Sequence, residues 1–341
     1  MSFELLKTLC STPGAPGHEK EFAALVKREL EPYADELYDD TMGNVYAVKK
    51  GKAEKPRTIM IAAHMDEIAF LVRSIDANGF ISVYPLGGFT AAHLVAQKVL
   101  IYGAKGIVAG VFGTKATMTE YSPGKVTEMF IDTGLDADTV KEKVRIGDVV
   151  TMDAPLMEMG NFYTGKTLDD RVGVYVMMEA FKNIKDNEDT IVAVATVQEE
   201  VGMRGAKGAA FTLEPDMGIA LDITVAGDAP GSDASMFGVK MGDGVAIKLV
   251  DQVAISHRGL VNFFRDLAEK KEIKHQWELL PAGGTDAGAM QIVKRGGIPV
   301  ITLSIPNRYT HTVVESCHKA DVQATITLLN AFIENSHTFI P

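Results

Sequence analysis

Short apolar runs alternate with amphipathic stretches along the chain. Ile191–Gln198 (IVAVATVQ) is β-branched and brief, with no polar alternation, and this texture predicts a strand buried on both faces, as in a parallel sheet. Arg57–Ala63 (RTIMIAA), Met217–Leu221 (MGIAL) and Ile298–Ile305 (IPVITLSI) share it. Helical periodicity covers Glu4–Cys10, His18–Leu30 and a stretch opening at Thr167 and running to about Phe181, while Pro13–Gly17 breaks the first two apart. LVNFFRDLAEKK and AGAMQIV predict two more helices, and DELYDD with VYAVKK around TMGN predicts a hairpin. From about Phe70 to Tyr163 the texture changes to short strands between turns: FLVRSI, FISVYP, KVLIYG, GIVAGVFG, EMFID and DVVTM, with one helix over Asp136–Val144. Such even spacing predicts a small β-barrel or sandwich. The expected organisation is an α/β domain, a mixed sheet flanked by helices over residues 1–69 and 164–341, split by an inserted β domain over 70–163. Insertions of this kind are tolerated where the ends of the insert lie close together.

Polar chemistry gathers where these elements end. Glu199-Glu200 follows the first run, His64-Met65-Asp66 follows RTIMIAA, Asp222 follows MGIAL, and His311 lies a few residues past IPVITLSI. Asp169-Asp170 opens the helix that starts near Thr167. Taken singly, each has a structural explanation: a solvated acidic pair, a satisfied histidine, or a helix cap. Five such segments together point to a site, because open α/β sheets bind ligands outside the carboxyl ends of their strands. His64, Asp169, Glu200, Asp222 and His311 supply two imidazoles and three carboxylates. Two divalent cations would match that charge and leave room for a hydroxide, at a spacing of about 3.5–4 Å. Nitrogen and oxygen donors without thiolate suit zinc, cobalt or manganese. In the Glu199-Glu200 pair, one carboxylate is free to hold metal while the other moves a proton. Asp66, two residues past His64, is placed to accept the second ring N–H and fix its tautomer.

The ordered motifs AHMDEI, TLDDRVG, VQEEVG, ALDIT, GGTDAGAM and IPNRYTHT span nearly the whole chain. Together they resemble the dinuclear-metal aminopeptidases that include the tetrahedral (TET) and glutamyl enzymes, some of whose relatives carry an endoglucanase label. The resemblance implies a zinc-peptidase-like catalytic domain. It implies a bridging Asp169, with His64 and Asp222 completing one metal and Glu200 and His311 the other. Glu199 would then be the general base and Asp66 would orient His64. Assigning the bridge to Asp169 rather than Asp170 rests on this alignment, and many relatives have Asn where Asp170 stands here. The implied reaction removes the first residue of a peptide. The implied assembly is a dimer-based homo-oligomer, up to a dodecameric shell, with the β domain helping to form contacts and control access.

Bulk properties narrow the partners. The 341 residues carry a net charge of −11 with no cluster of Lys and Arg, so nucleic acid is not an expected partner. No apolar stretch approaches the ~18 residues a membrane span needs. MSFELLKTLCSTPG lacks the basic start and apolar core of a signal peptide, and a cytoplasmic location is expected. Cys10 and Cys317 are too few and too far apart for a disulfide framework, and Cys317-His318 falls outside the ligand set.

Two other functions compete. Gly160–Thr167 (GNFYTGKT) matches the phosphate-loop pattern of nucleotide hydrolases letter for letter, but the preceding residues make a poor buried strand and Phe162 and Tyr163 put bulk where backbone should wrap phosphate, so little nucleotide binding is expected. An endo-β-glucanase would use Glu199 with Glu200 or Asp222 as acid and nucleophile. It would leave His64 and His311 idle in a chain with 7% aromatic residues and one tryptophan. For the substrate pocket, Gly284 and Thr285 are expected as wall. Arg308 is a possible liner, and Arg258 would select acidic first residues if it reached the site. Met177-Met178 and Phe263-Phe264 read as core.

Overall fold

The computed structural model describes residues 2–115, 123–233, 235–293 and 296–340. The chain opens with helices α1 (Phe3–Ser11) and α2 (Lys20–Leu30), the hairpin β1 (Glu36–Asp39) and β2 (Val45–Lys49), and strand β3 (Thr58–His64). It then forms β4 (Ala69–Ile75), β5 (Ile81–Leu86), α3 (Ala91–Leu94), β6 (Lys98–Gly103), β7 (Gly106–Phe112), β8 (Ile131–Asp132), α4 (Ala137–Lys143) and β9 (Val149–Met152). Next come β10 (Met157–Met159), β11 (Phe162–Gly165), α5 (Leu168–Lys182), β12 (Thr190–Thr196), α6 (Arg204–Leu213), β13 (Met217–Val225) and β14 (Val245–Val250). The chain finishes with α7 (Arg258–Lys270), β15 (His275–Leu279), α8 (Asp286–Gln291), β16 (Val300–Arg308), β17 (Glu315–His318) and α9 (Lys319–Asn335).

The predicted runs become the centre of an eleven-stranded mixed sheet ordered β1-β2-β12-β3-β13-β16-β17-β11-β10, with β14 pairing β16 and carrying β15 outside it. Strands β12, β3, β13 and β16 are mutually parallel. Their uninterrupted apolar character follows from burial on both faces. On one face Ile59, Ile61, Ala193, Ile219 and Leu303 join a core with Val26, Val176, Phe264 and Leu329 from α2, α5, α7 and α9. On the other, Met60, Ala62, Val194 and Ala220 pack with Ala209 and Ala210 of α6 and Met290 of α8. Each Val, Leu, Ile, Met or Phe side chain among them contributes about 1.5–3 kcal/mol on burial. Met177, Met178 and Phe264 are buried in this core and Phe263 packs against it, as expected of core residues.

Between barrel and sandwich, the residues after β3 take the barrel. Strands β4-β5-β8-β7-β6-β9 close on themselves, which removes exposed sheet edges. Phe70, Val72, Ile81, Ile101, Phe112 and Val150 fill the interior. Strand β11 pairs with β17 and carries β10 at the edge of the large sheet. Among the described residues, no helix is long and apolar enough to cross a membrane.

Candidate metal centre

Parallel register brings the chemistry to one edge. Thr196, the last residue of β12, lies opposite His64, the last of β3. On the other side of β3, Ala220 lies opposite Ala62, so Asp222 draws level with His64. Glu199 and Glu200 follow β12 in the loop before α6. His311 sits between β16 and β17 in a left-handed conformation (φ 59°). Asp169 comes from the start of α5, where Asp169 (φ −77°, ψ 108°) and Asp170 (φ −114°, ψ 36°) are not helical. This irregular turn separates the two acids. Asp170 accepts the N–H of Gly173 (3.1 Å), which caps the regular part of the helix, and the N–H of His64 (3.2 Å). Asp169 is thereby left facing the cluster.

The two oxygens of Asp169 face different imidazoles. Oδ1 lies 3.1 Å from His64 Nε2 and Oδ2 lies 3.2 Å from His311 Nε2. Donor atoms of His64, Asp169 and Asp222 form one group within 4.8 Å of one another, and those of Asp169, Glu200 and His311 form a second. Glu199 Oε2 stands 4.0 Å from His64 Nε2. The cluster lies in an open cleft of 830 Å³.

Asp66 is tied to the site differently from the expectation. Its main-chain oxygen lies 3.0 Å from His64 Nδ1, whereas its carboxylate oxygen is 3.7 Å away. The carboxylate instead accepts the N–H groups of Glu199 (2.9 Å) and Glu200 (3.1 Å), because the β12–α6 loop folds back over the end of β3. Sequence reasoning missed Glu315, whose buried carboxylate accepts the N–H of Asp169 (2.9 Å) and of His311 (2.8 Å). Asp286 directly follows Thr285, the capping residue of α8, and its buried carboxylate accepts the Thr196 hydroxyl at 2.5 Å. The one signal for Glu315 was a lone acid inside the otherwise apolar and small TVVESC. Gly87 and Gly88 press on Glu200 and His311 from the barrel side. A Cβ at 87 would lie 3.2 Å from Glu200 Oε2, and one at 88 would lie 3.1 Å from His311 Nδ1.

Electrostatics mark this as a place that wants cations. Burial raises Glu200 to about 7, His311 opposing and Asp169 adding to the rise. Burial and then Asp169 push Asp222 well above the carboxylate range. Burial likewise lifts Glu199, with His64 pulling it back and Asp222, Asp286 and Glu200 lifting it further. Burial works against the charged form of His311, yet Glu200 and Asp169 hold it up at about 10. Asp169 moves the other way: the two imidazoles outweigh its burial and lower it. Among the described residues, Asp169, Glu199 and Glu200 have these imidazoles as their ion-pair partners. Glu200 Oε1 is buried without a hydrogen-bond partner. Crowded acids with an orphaned oxygen and mixed nitrogen and oxygen donors fit hard or borderline divalent ions.

Several expected pocket residues lie elsewhere. Arg258 is exposed at the start of α7 and does not line the cleft. The neighbouring His257 N–H donates to the oxygen of Val300, at the amino end of β16, which is the opposite edge from His64. Arg308 is held by Asp228 (2.9 and 2.8 Å) and also stays out of the cleft lining. Gly284 and Thr285 do line it. The phosphate-loop reading fails on geometry. Gly160 turns the β10–β11 hairpin, Phe162–Gly165 is strand β11, and Lys166 is buried with its Nζ 2.7 Å from Glu67. No loop is left to wrap phosphate there. Cys10 and Cys317 are free and buried, and His318 caps α9 by accepting the Ala320 N–H at 3.1 Å.

A doubly covered parallel sheet with histidines and carboxylates converging on its carboxyl edge defines a metal-dependent hydrolase. Residues 43–328 match the M42 glutamyl aminopeptidase family, and the chain belongs to that family; it is a peptide hydrolase. It is 35% identical to the lysyl aminopeptidase of Pyrococcus furiosus, over 98% of this chain and 97% of that one. An aminopeptidase of the archaeon Desulfurococcus kamchatkensis superposes with a TM-score of 0.93 at 37% identity, covering 97% of this chain and 94% of that one. The TET1 peptidase of Pyrococcus horikoshii, which can assemble into a tetrahedron or a large octahedral shell, superposes with a TM-score of 0.85 at 30% identity, covering 97% and 98%.

Proposed function

We propose that the protein is an aminopeptidase that removes the first residue of peptides and holds two divalent ions, zinc, cobalt or manganese. His64 and Asp222 would hold one ion, Glu200 and His311 the other, and Asp169 both. The observation carrying this reading is that Asp169 belongs to both donor groups and turns one oxygen toward each histidine. Bound ions of this kind lower the pKa of water and polarise the scissile carbonyl. Glu199 lines the cleft beside the cluster, takes the proton of the attacking water and returns it to the leaving amine. Asp66 holds the main chain of Glu199 and Glu200 so that base and ligand keep their spacing. The substrate's free α-amine is selected inside the same acidic cleft. As in the TET1 relative, the working form is a homo-oligomer, with the barrel contributing contacts and restricting access.

The test is hydrolysis of aminoacyl-p-nitroanilides by protein stripped of metal and then given zinc, cobalt or manganese, with acetylated substrates and a soluble β-glucan alongside. Metal-restored cleavage confined to free-amine substrates is expected. Metal-independent cleavage of the glucan with inert peptides would refute the reading and assign Glu199 to a glycosidase pair.

A further inference from the structure

Away from the ligand cluster, the cleft changes character. Its apolar wall is built from Ile223 and Val225 at the end of β13, Val253 from the loop between β14 and α7, Leu280 and Ala282 after β15, and Met203 before α6. This wall is seated rather than incidental, since a Cβ at Gly284 or Gly288 would run into Val253. Among the described lining residues, the acids are Asp169, Glu199, Glu200 and Asp222, all in the cluster, and Lys248 is the one lysine or arginine. Lys248 is already matched: its Nζ lies 3.1 Å from Glu278 and 3.4 Å from Asp251, with all three side chains no more than 1% exposed. Of the other polar groups on this side, the Thr224 hydroxyl between Ile223 and Val225 is buried without a hydrogen-bond partner, and two are engaged. The Gln252 amide donates to the oxygen of Pro281 (3.0 Å), and the Thr285 hydroxyl meets that of Thr302 (2.9 Å).

We propose that this wall receives the side chain of the substrate's first residue and selects uncharged aliphatic side chains over acidic or basic ones. The inference rests on the aminopeptidase reading above. An acidic side chain would find its natural partner, Lys248, held by two carboxylates. A basic one would find no carboxylate beyond those of the ligand cluster. Either would bring an unpaired charge against apolar surface, which is costly, whereas a leucine side chain gains by leaving water.

The experiment compares kcat/KM for leucyl-, glutamyl- and lysyl-p-nitroanilide with metal-loaded protein, then repeats it with Val253→Lys and Val253→Asp. Val253 is 41% exposed, so either polar side chain is accommodated at the rim. Leucine is expected to exceed both charged residues by at least about tenfold, equivalent to about 1.4 kcal/mol. Val253→Lys should raise the glutamate-to-leucine ratio about tenfold, and Val253→Asp should do the same for lysine. Glu278→Gln, which loosens the hold on Lys248 from within, should move the ratio toward glutamate as well. Glutamate or lysine matching leucine in the unaltered protein would overturn the inference and leave the aminopeptidase intact. Ratios unmoved in all three variants would overturn the placing of the wall. No cleavage of any free-amine substrate would instead remove the aminopeptidase reading, and the inference with it.

Discussion

Asp66→Asn tests how the Glu199-Glu200 loop is held. Asp66 is fully buried, and its two carboxylate oxygens each accept one main-chain N–H, from Glu199 at 2.9 Å and Glu200 at 3.1 Å. Asparagine keeps the shape and one acceptor, but turns an amide donor toward the other N–H. One hydrogen bond to a charged group, about 1.5–3 kcal/mol, is lost and a buried donor is left unpaired. The expected stability loss is about 2–3 kcal/mol. Fluorescence of the single tryptophan, Trp277 on β15 of the large sheet, reports it during denaturation. The loop must shift to relieve the donor clash, and a misplacement of about 1 Å costs on the order of 100-fold in rate. We therefore expect kcat on leucyl-p-nitroanilide to fall about 100-fold with metal content unchanged by elemental analysis. A kcat within about threefold of the parent would refute this reasoning. Loss of metal at constant kcat per bound ion would refute it differently. It would place the action of Asp66 on the His64 ring, 3.7 Å from its carboxylate.

Three further predictions follow from the same geometry. Glu199→Gln should keep the parent's metal content and lose about 10²–10⁴ in kcat, the usual contribution of a positioned base, and turnover within tenfold of the parent would remove Glu199 from the proposed base role. Lys166→Met should cost about 3–5 kcal/mol by denaturant titration, because Glu67 would stay buried with only neutral donors and the more distant Arg171 at 3.7 Å, and neither protein should bind a nucleotide analogue. Burial raises Asp189, but hydrogen bonds from Arg57 and Ser336 outweigh this and leave its pKa below the ordinary value. A lowered folded pKa stabilises above the unfolded value of about 3.9 and is lost as pH falls through the folded one. Asp189→Asn should therefore be less stable than the parent at neutral pH, with the gap closing on acidification below about pH 4. A gap that stays constant would contradict the assignment.

Much of the chemistry was legible because it sits where local patterns end. The four apolar runs are the parallel strands β3, β12, β13 and β16. A run without polar alternation announces burial on both faces, and its end announces the sheet edge. His64, Asp222, Glu199, Glu200 and His311 could each be reached that way. Lengths were less legible: β13 continues to Val225 and β16 to Arg308, past the residues where the apolar runs stop, because the ladder goes on pairing through buried polar residues such as Asp222 and Asn307. Arg258 misled for a related reason. Helix periodicity says that α7 exists, but the direction in which β14 enters the sheet decides which edge the helix start occupies, and β14 is antiparallel to β16.

What stayed hidden is what holds these side chains in place. Asp66 reaches Glu199 across 133 residues of sequence, and Glu315 reaches Asp169 across 146. No period or spacing encodes such pairs, because strand order creates them. The same limit governed the choice between Asp169 and Asp170, which are identical by residue type. Asp170 accepts the Gly173 N–H and starts the helix, so the cap that local reasoning foresees is real and falls on this residue. Asp169, one position earlier, has its own N–H taken by Glu315 and both oxygens toward histidines from distant elements. The element end thus supplies two carboxylates: Asp170 is taken up as the cap, and Glu315 from β17 holds the main chain of Asp169, whose carboxylate faces the site.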